Sequence, residues 1–356
     1  WDMLLLEAGL LAVLFAPWGT LWLGRAKGEP SHVVVWLIRW LVFRLMFLSG
    51  VVKLASGDPT WWAGEALRYH YETQPLPTWT SWYMHQLPPW FQKLSVGFTF
   101  WAELIVPLFV FAPRWPRMFA MANLVFFQVL ILATGNYGFF NLLSIVLCLA
   151  LVEDRDWGRR DEPPEQAPAP AVPPRRIVIG AAAVLIVLVT TMAAVDRSGF
   201  VFVFPEPLET VRRWVEPLRS FNAYGLFAVM TTRRFEIVVE GSDDGVSWWP
   251  YRFRWKPDEV DRRPRFTTPH MPRLDWQMWF AALAPDCRSQ PWFVRFELRL
   301  LEGSPPVLRL LRTDPFPDRP PRFIRARLYD YHFTQWGAKP WWRREEVGIY
   351  CPPIGL

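Results

Sequence analysis

Residues 3–23, 33–52, 91–111, 118–134, 139–152 and 177–195 are apolar runs interrupted by few charges. A helix needs about 20 such residues to cross the hydrocarbon of a bilayer. Backbone amides have no water to bond to in lipid, so spanning segments of this kind fold as helices. The sequence therefore predicts an α-helical polytopic membrane bundle of about six helices. The fifth run is short. The motif GNYGFFN, residues 135–141, joins it to the fourth, and so tight a turn makes the two a helical hairpin with little solvent exposure. Trp is enriched where its ring sits at a membrane–water interface, and 23 Trp and 27 Phe in 356 residues suit that environment better than a soluble core.

Positive charge orients the bundle, because Lys and Arg in short loops stay on the cytoplasmic side. The loops after the first, third and fifth runs carry Arg25, Lys27, Arg114, Arg117, Arg155, Arg159, Arg160, Arg175 and Arg176, nine in all, against Lys53, Arg68 and Lys93 after the second and fourth. This bias puts a loop at 53–90 and everything beyond 195 on the outer face. Residues 153–176 hold repeated prolines without an apolar period and are expected to be an extended cytoplasmic linker. The organisation that follows is a bundle over 1–152, the linker over 153–176, a transmembrane helix over 177–195 and a soluble domain over 196–356. The chain begins at Trp1, already in helical texture, which leads us to expect a segment upstream of it.

Beyond residue 196 the period changes. RRFEIVVEGSDDGVSWWPYRFRW alternates apolar and polar residues on both sides of GSDDG, the pattern of a β-hairpin. RFIRARLYDYHFT and WWRREEVGIYC are two further strands, while RLDWQMWFAAL, PWFVRFELRLLEG and the amphipathic EPLETVRRWVEPLRSF have helical spacing. The soluble part is thus an α+β domain with an antiparallel sheet.

The net charge of +6 is spread over loops and strands, with no basic helix or recognition motif, so no nucleic acid is expected as a partner. No phosphate-binding or dinucleotide loop occurs and no Ser occupies a G-x-S-x-G elbow. Cys148, Cys287 and Cys351 have no metal-type spacing, so neither metal nor cofactor is expected. In an oxidising compartment Cys287 and Cys351 could pair, although sequence leaves the proximity of their Cα atoms open.

Two groups of residues stand out. Glu7, Arg39, Arg44 and Glu103 lie inside the apolar runs, where an ionisable group is costly: either Glu7 and Glu103 neutralise Arg39 and Arg44 and fix helix packing, or the four line a polar cavity open to the outer side. The other group is the proline-punctuated stretch YHYETQPLPTWTSWYMHQLPPW, with Tyr69, His70, Tyr71, Glu72, Gln74, Trp82 and His85. A metal site gathers three or four ligands, and the two histidines with Glu72 fall short of that at any recognisable spacing. An ordered loop whose rings pack at the membrane surface is the plainer reading, and acid–base work by His70 and His85 the sharper one.

WDMLLLEAGLLAVLFAP, FRLMFLSGVVKLASGDPTWW, the stretch just quoted, ATGNYGFFNLLS, the long run from FNAYGLFAVMTTRRFEIVVEGSDDG to WQMWFAAL, and RLYDYHFT together resemble the lipase maturation factor family over nearly the whole chain. The resemblance implies a polytopic membrane protein whose carboxyl-terminal domain, lumenal in the endoplasmic reticulum of eukaryotic relatives, assists folding and dimer assembly of secreted lipases. For a bacterial member it implies the inner membrane with a periplasmic domain. HYETQPLP is also similar, more distantly, to the membrane domain of vitamin K-dependent carboxylases. The leading expectation is a chaperone-like platform in contact with membrane lipid that binds a secreted client, a lipase, through Arg233, Trp248, Trp249, Trp276 and Trp279, residue types that dominate interface hot spots. Packing within the domain is the alternative role for at least half of these. The rival expectation is a membrane-embedded enzyme acting on a lipid, quinone or peptide with His70, His85, Glu103 and Arg44. A transporter is disfavoured because no inverted repeat is evident.

Overall fold

The computed structural model describes residues 2–16, 30–157 and 173–355. They form two compact units that interleave along the chain: Trp1–Gly64, Lys93–Ile131 and Phe139–Met230 make the first, and Glu65–Gln92, Leu132–Gly138 and Thr231–Leu356 the second.

Among the described residues, four helices are long and apolar enough to cross a membrane: His32–Ala55, Pro89–Phe111, Arg114–Thr134 and Arg175–Arg197. They match four of the six apolar runs. The other two runs give shorter helices, Asp2–Phe15 and Phe140–Cys148. At 1.5 Å per residue the described helix Asp2–Phe15 is about 21 Å long. Residues 17–23 of the first run, and the loop cations Arg25, Lys27, Arg159 and Arg160, lie outside the described residues. The helix His32–Ala55 buries Leu37, Leu41, Leu45, Leu48 and Val52, the three-and-four spacing of a core-facing stripe. Within Pro89–Phe111 the chain widens into a π-helical turn at Trp101–Ile105, just before Pro107, whose missing amide removes an α-helical donor.

The second unit is built on an antiparallel sheet of order β2-β1-β3-β4, with β1 Arg234–Ser242, β2 Trp249–Pro250, β3 Phe323–Phe333 and β4 Trp342–Gly355. Ile237, Val239, Ile324 and Ala326 form one buried face with Met278, Phe293, Phe296 and Leu300 from the helices Arg273–Ala282 and Pro291–Leu301. A disulfide joins Cys287 to Cys351, with the Cα atoms 5.4 Å apart. Asp244 fixes the GSDDG turn by accepting from the amides of Val246 and Ser247 at 2.8 and 2.7 Å. The second arm of this hairpin is shorter than its alternation suggests. Its ladder with β1 is limited to Trp249 and Pro250, followed by one bond from the Tyr251 amide to the Val239 carbonyl at 2.9 Å.

Two sequence expectations need correcting. The stretch 53–90 is not an irregular loop, for it contains the short helices Pro59–Trp62, Ala66–Thr73 and Trp79–His85. Its prolines and polar residues act at helix starts: Asp58 accepts from the Thr60 amide, and Thr78 with Ser81 forms a reciprocal capping box. Lys53, counted as a loop cation, is a buried residue of the helix His32–Ala55.

Glu297 lies among these apolar side chains with 0% exposure and neither carboxylate oxygen hydrogen-bonded. Burial pushes its pKa up to about 8. Because the folded value exceeds the unfolded one, its contribution to stability is full below the ordinary carboxyl pKa and is lost as pH rises through about 8. Glu297→Gln should therefore gain thermal stability over the parent between pH 5 and pH 8, by up to about 1.4 kcal/mol per pH unit. Parallel melting curves for the two proteins across that range would contradict this.

Candidate functional site

In the first unit the intramembrane charges pair, and what they hold is backbone. Arg44 and Glu7 form an ion pair in which both side chains are 1% exposed. The second oxygen of Glu7 accepts from the Tyr224 hydroxyl at 2.7 Å, and Arg44 donates to the Asn222 carbonyl at 2.6 Å. Lys53 meets Glu103 at 2.8 Å and donates to the carbonyls of Ser49 at 3.1 Å and Leu226 at 3.0 Å. Trp61 Nε1 donates to the Phe227 carbonyl at 3.0 Å, and Asp58 accepts from the Met230 amide at 2.5 Å. Five side chains thus clasp residues 222–230. Gly225 permits the approach, because a Cβ there would sit 2.9 Å from Val52. A buried charge is tolerated only when paired and hydrogen-bonded, and both pairs meet that condition. Arg39 is engaged elsewhere, at 2.9 Å from Glu153, which also pairs with the buried Arg117.

In the second unit the stretch around His70 is held in the same way. Arg234 on β1 has 0% side-chain exposure and donates to the carbonyls of Glu72 at 2.9 Å, Gln74 at 2.5 Å and Pro75 at 3.0 Å. Its charge is met by Glu236 at 2.5 Å, which also pairs with Lys256 at 2.8 Å. The turn 135–138 closes on the other side, with all four residues buried. Tyr137 donates to Gln74 Oε1 at 3.0 Å and lies 2.9 Å from His70 Nε2, while Gln74 Nε2 donates to the Thr134 carbonyl at 2.8 Å. Asn136 donates to the carbonyls of Leu76 and Arg265 and accepts from the Thr267 amide.

Electrostatics single out Glu72 and His332. Burial alone would raise the Glu72 pKa, but His332, His85 and the Phe333 amide, which donates to Glu72 at 2.5 Å, together hold it below the usual value. His332 lies 3.7 Å from the same carboxylate, which raises its pKa against the opposing effect of burial. Trp82 packs with Tyr331, Phe333 and Trp342, and Tyr71 is buried, which pushes its hydroxyl up to about 12. Tyr69 is half-buried. His85 Nδ1 lies 2.9 Å from the Arg68 carbonyl. Each of the four residues of the enzyme hypothesis is therefore engaged: Arg44 by Glu7, Glu103 by Lys53, His70 by Tyr137 and His85 by Arg68.

The aromatic and arginine anchors divide. Trp276 is buried, and Trp279 donates to the Thr73 carbonyl at 2.8 Å. Arg325 stacks 4.1 Å over the half-buried Trp248 ring. Trp249 is 60% exposed, and Arg233, paired with Asp330 at 2.7 Å, has a side chain equally open. Sequence reasoning passed over Lys53, Asp58, Asn136, Arg234 and His332. Asn136 and Tyr137 carried a signal in their glycine-flanked turn, whereas Arg234 stands in a strand among many other arginines. Cys287, Glu297 and Cys351 bring ligand atoms within 4.8 Å of one another, but with the sulphurs in a disulfide neither is a thiolate.

Residues 1–159 match the family model of the lipase maturation factor transmembrane domain and residues 220–352 that of the lipase maturation factor C-terminal domain. The chain belongs to the lipase maturation factor family. It is an integral membrane protein, since its amino-terminal part is that family's transmembrane domain. It is 37% identical to lipase maturation factor 2 of Mus musculus over 465 aligned positions, which take in all of this chain and 66% of the mouse protein. The human factor 2 is likewise 37% identical, with 66% of its length covered. Lipase maturation factor 1 of Bos taurus is 32% identical over 99% of this chain and 67% of its own length. The chain thus spans just under two thirds of the factor 2 relatives. No solved structure matches.

Gly135 is where this site tolerates least. A Cβ there would fall 2.3 Å from Gln74 Oε1 and 2.4 Å from the Tyr137 ring, so Gly135→Ala must displace both of them. The expected cost is about 1–3 kcal/mol, as for other overpacked sites. Protease resistance or thermal unfolding of the full chain checks it, and a variant as stable as the parent would count against the described packing.

Proposed function

We propose that this protein is a membrane-anchored maturation factor that assists the folding or assembly of secreted proteins, lipases foremost, with residues 231–355 on the outer side of the membrane. The observation that carries this reading is the match to both lipase maturation factor domains across nearly the whole chain. The excess of cations that follow the first, third and fifth apolar runs, several of them in the first turns of the next helix, supports the orientation, and in a bacterium the outer side is the periplasm. The disulfide between Cys287 and Cys351 suits an oxidising compartment. Exposed Trp249 and Arg233 supply the aromatic and guanidinium chemistry that protein interfaces favour.

Because residues 65–92 and 132–138 belong to the same compact unit as 231–356, cutting the chain near 196 would leave both parts incomplete. Surface substitution is the cleaner test. The full chain and its Trp249→Ala/Arg233→Ala variant are expressed with a secreted lipase in cells lacking the endogenous protein, and active lipase is measured against total lipase. The parent should raise the active fraction, and the variant should lose most of that gain at equal membrane abundance, since interface aromatic and Arg anchors each contribute about 2 kcal/mol or more. A lipase equally active with and without the parent protein would refute the proposed role.

A further inference from the structure

The first unit contains a cleft of about 320 Å³ at the carboxyl-terminal end of the helix Arg175–Arg197. Its apolar floor is made by Val189 and Ala193 of that helix with Met3. Its polar wall carries three guanidinium groups, Arg197, Arg212 and Arg219. Asn222 anchors the wall, donating to the Arg219 carbonyl at 2.8 Å and receiving the buried Arg44 on its own carbonyl.

The guanidinium charges are unequally satisfied. Arg212 is taken up by Asp196 at 2.5 Å and Glu209 at 2.7 Å. Arg219 approaches Glu216 only to 3.6 Å, beyond hydrogen-bond range. Arg197 is exposed and has no ion-pair partner among the described residues. Two cations therefore face the cleft with unused donors, directly above apolar side chains that belong to a membrane-spanning helix.

The position of the cleft says which anion reaches it. Arg197 ends a 23-residue span, which places it at the boundary between hydrocarbon and headgroups. Just beyond it, Phe200, Val201, Phe202 and Val203 are 76%, 98%, 59% and 87% exposed. Four consecutive apolar side chains so open are accommodated by the interfacial layer of a bilayer, not by water. The helix that follows, Glu206–Val215, has Arg212 and Arg213 in its last turn and presents an exposed Trp214, a pattern typical of helices lying in that layer.

We propose that this cleft binds the phosphate diester of a membrane phospholipid, with Arg197 and Arg219 on the phosphate and the upper part of an acyl chain along Met3, Val189 and Ala193. Guanidinium groups bind phosphate through paired N–H donors. The carboxylates of Asp196 and Glu216 at the rim are suited to a headgroup amine.

The full chain is purified in detergent, and bound lipid is measured by native mass spectrometry, first as isolated and then after titration with phosphatidylethanolamine, with diacylglycerol and with inorganic phosphate. The parent should retain phospholipid and rebind it in preference to the other two probes. Arg197→Gln/Arg219→Gln should weaken that binding at least about tenfold, as expected for the loss of two interfacial cations. Ala193→Trp, which fills the floor and leaves every cation in place, should weaken it too. Both variants alter residues at the edge of the unit, and unchanged melting temperatures verify that they fold. Phospholipid bound equally by the parent and both variants would overturn the proposal. So would equal binding of diacylglycerol, or of inorganic phosphate, which would reduce the cleft to an apolar groove or to a simple anion site.

Discussion

Arg234 is the residue on which the second unit depends. A guanidinium with no solvent exposure needs a counter-charge and acceptors for its remaining donors, or the fold does not retain it. Glu236 supplies the charge, and the acceptors are three backbone carbonyls within four residues, those of Glu72, Gln74 and Pro75 at the end of the helix Ala66–Thr73. The polar side chains of HYETQPLP are held by partners outside the stretch: the Thr73 hydroxyl donates to the Thr231 carbonyl, Glu72 accepts from the Phe333 amide and Gln74 donates to the Thr134 carbonyl. The first unit solves a similar problem with Arg44 and Lys53, whose charges are met by Glu7 and Glu103 while their spare donors take the carbonyls of Asn222 and Leu226. In both units a buried cation fixes an irregular segment that an apolar contact alone would leave free to slide.

Much of the architecture was legible in the sequence. Apolar length gave the spanning helices, and alternation gave β1, β3 and β4, because each element satisfies its backbone locally or with one neighbour. What failed were features decided by distant partners. The stretch 53–90 reads as a loop since none of its three short helices exceeds eight residues, and their caps at Asp58 and Thr78 become visible only once the starts are known. Lys53 counts as a loop cation by position, yet burial beside Glu103 makes it part of a helix interior. Arg234 could not be singled out, since nothing local distinguishes a strand arginine that reaches carbonyls about 160 residues away from one that faces water. The intramembrane charges were found by their cost, and of the pairings expected among them Glu7 with Arg44 forms while the other two residues take different partners. Arg39 binds Glu153, and Glu103 binds Lys53.

These clasps bear on function through rigidity. The segments with the densest functional chemistry, His70 to His85 and the 135–138 turn, are tied into the sheet unit by hydrogen bonds to backbone, and His70, Glu72, His85 and Tyr137 among them already have partners. Such an arrangement presents a fixed surface, which suits the client-binding role proposed above. The exposed side chains left over, among them Trp249 and Arg233, stand on this scaffold.

Hydrogen exchange followed by mass spectrometry on the full chain, comparing the parent with Arg234→Met, tests this account most directly. A methionine fills much of the same space but offers no donors, so amides of residues 69–77 and 132–138 should lose protection together while the core under Ile237 and Val239 keeps its own. Unchanged protection of both segments in that variant would contradict the central role given to the buried guanidinium.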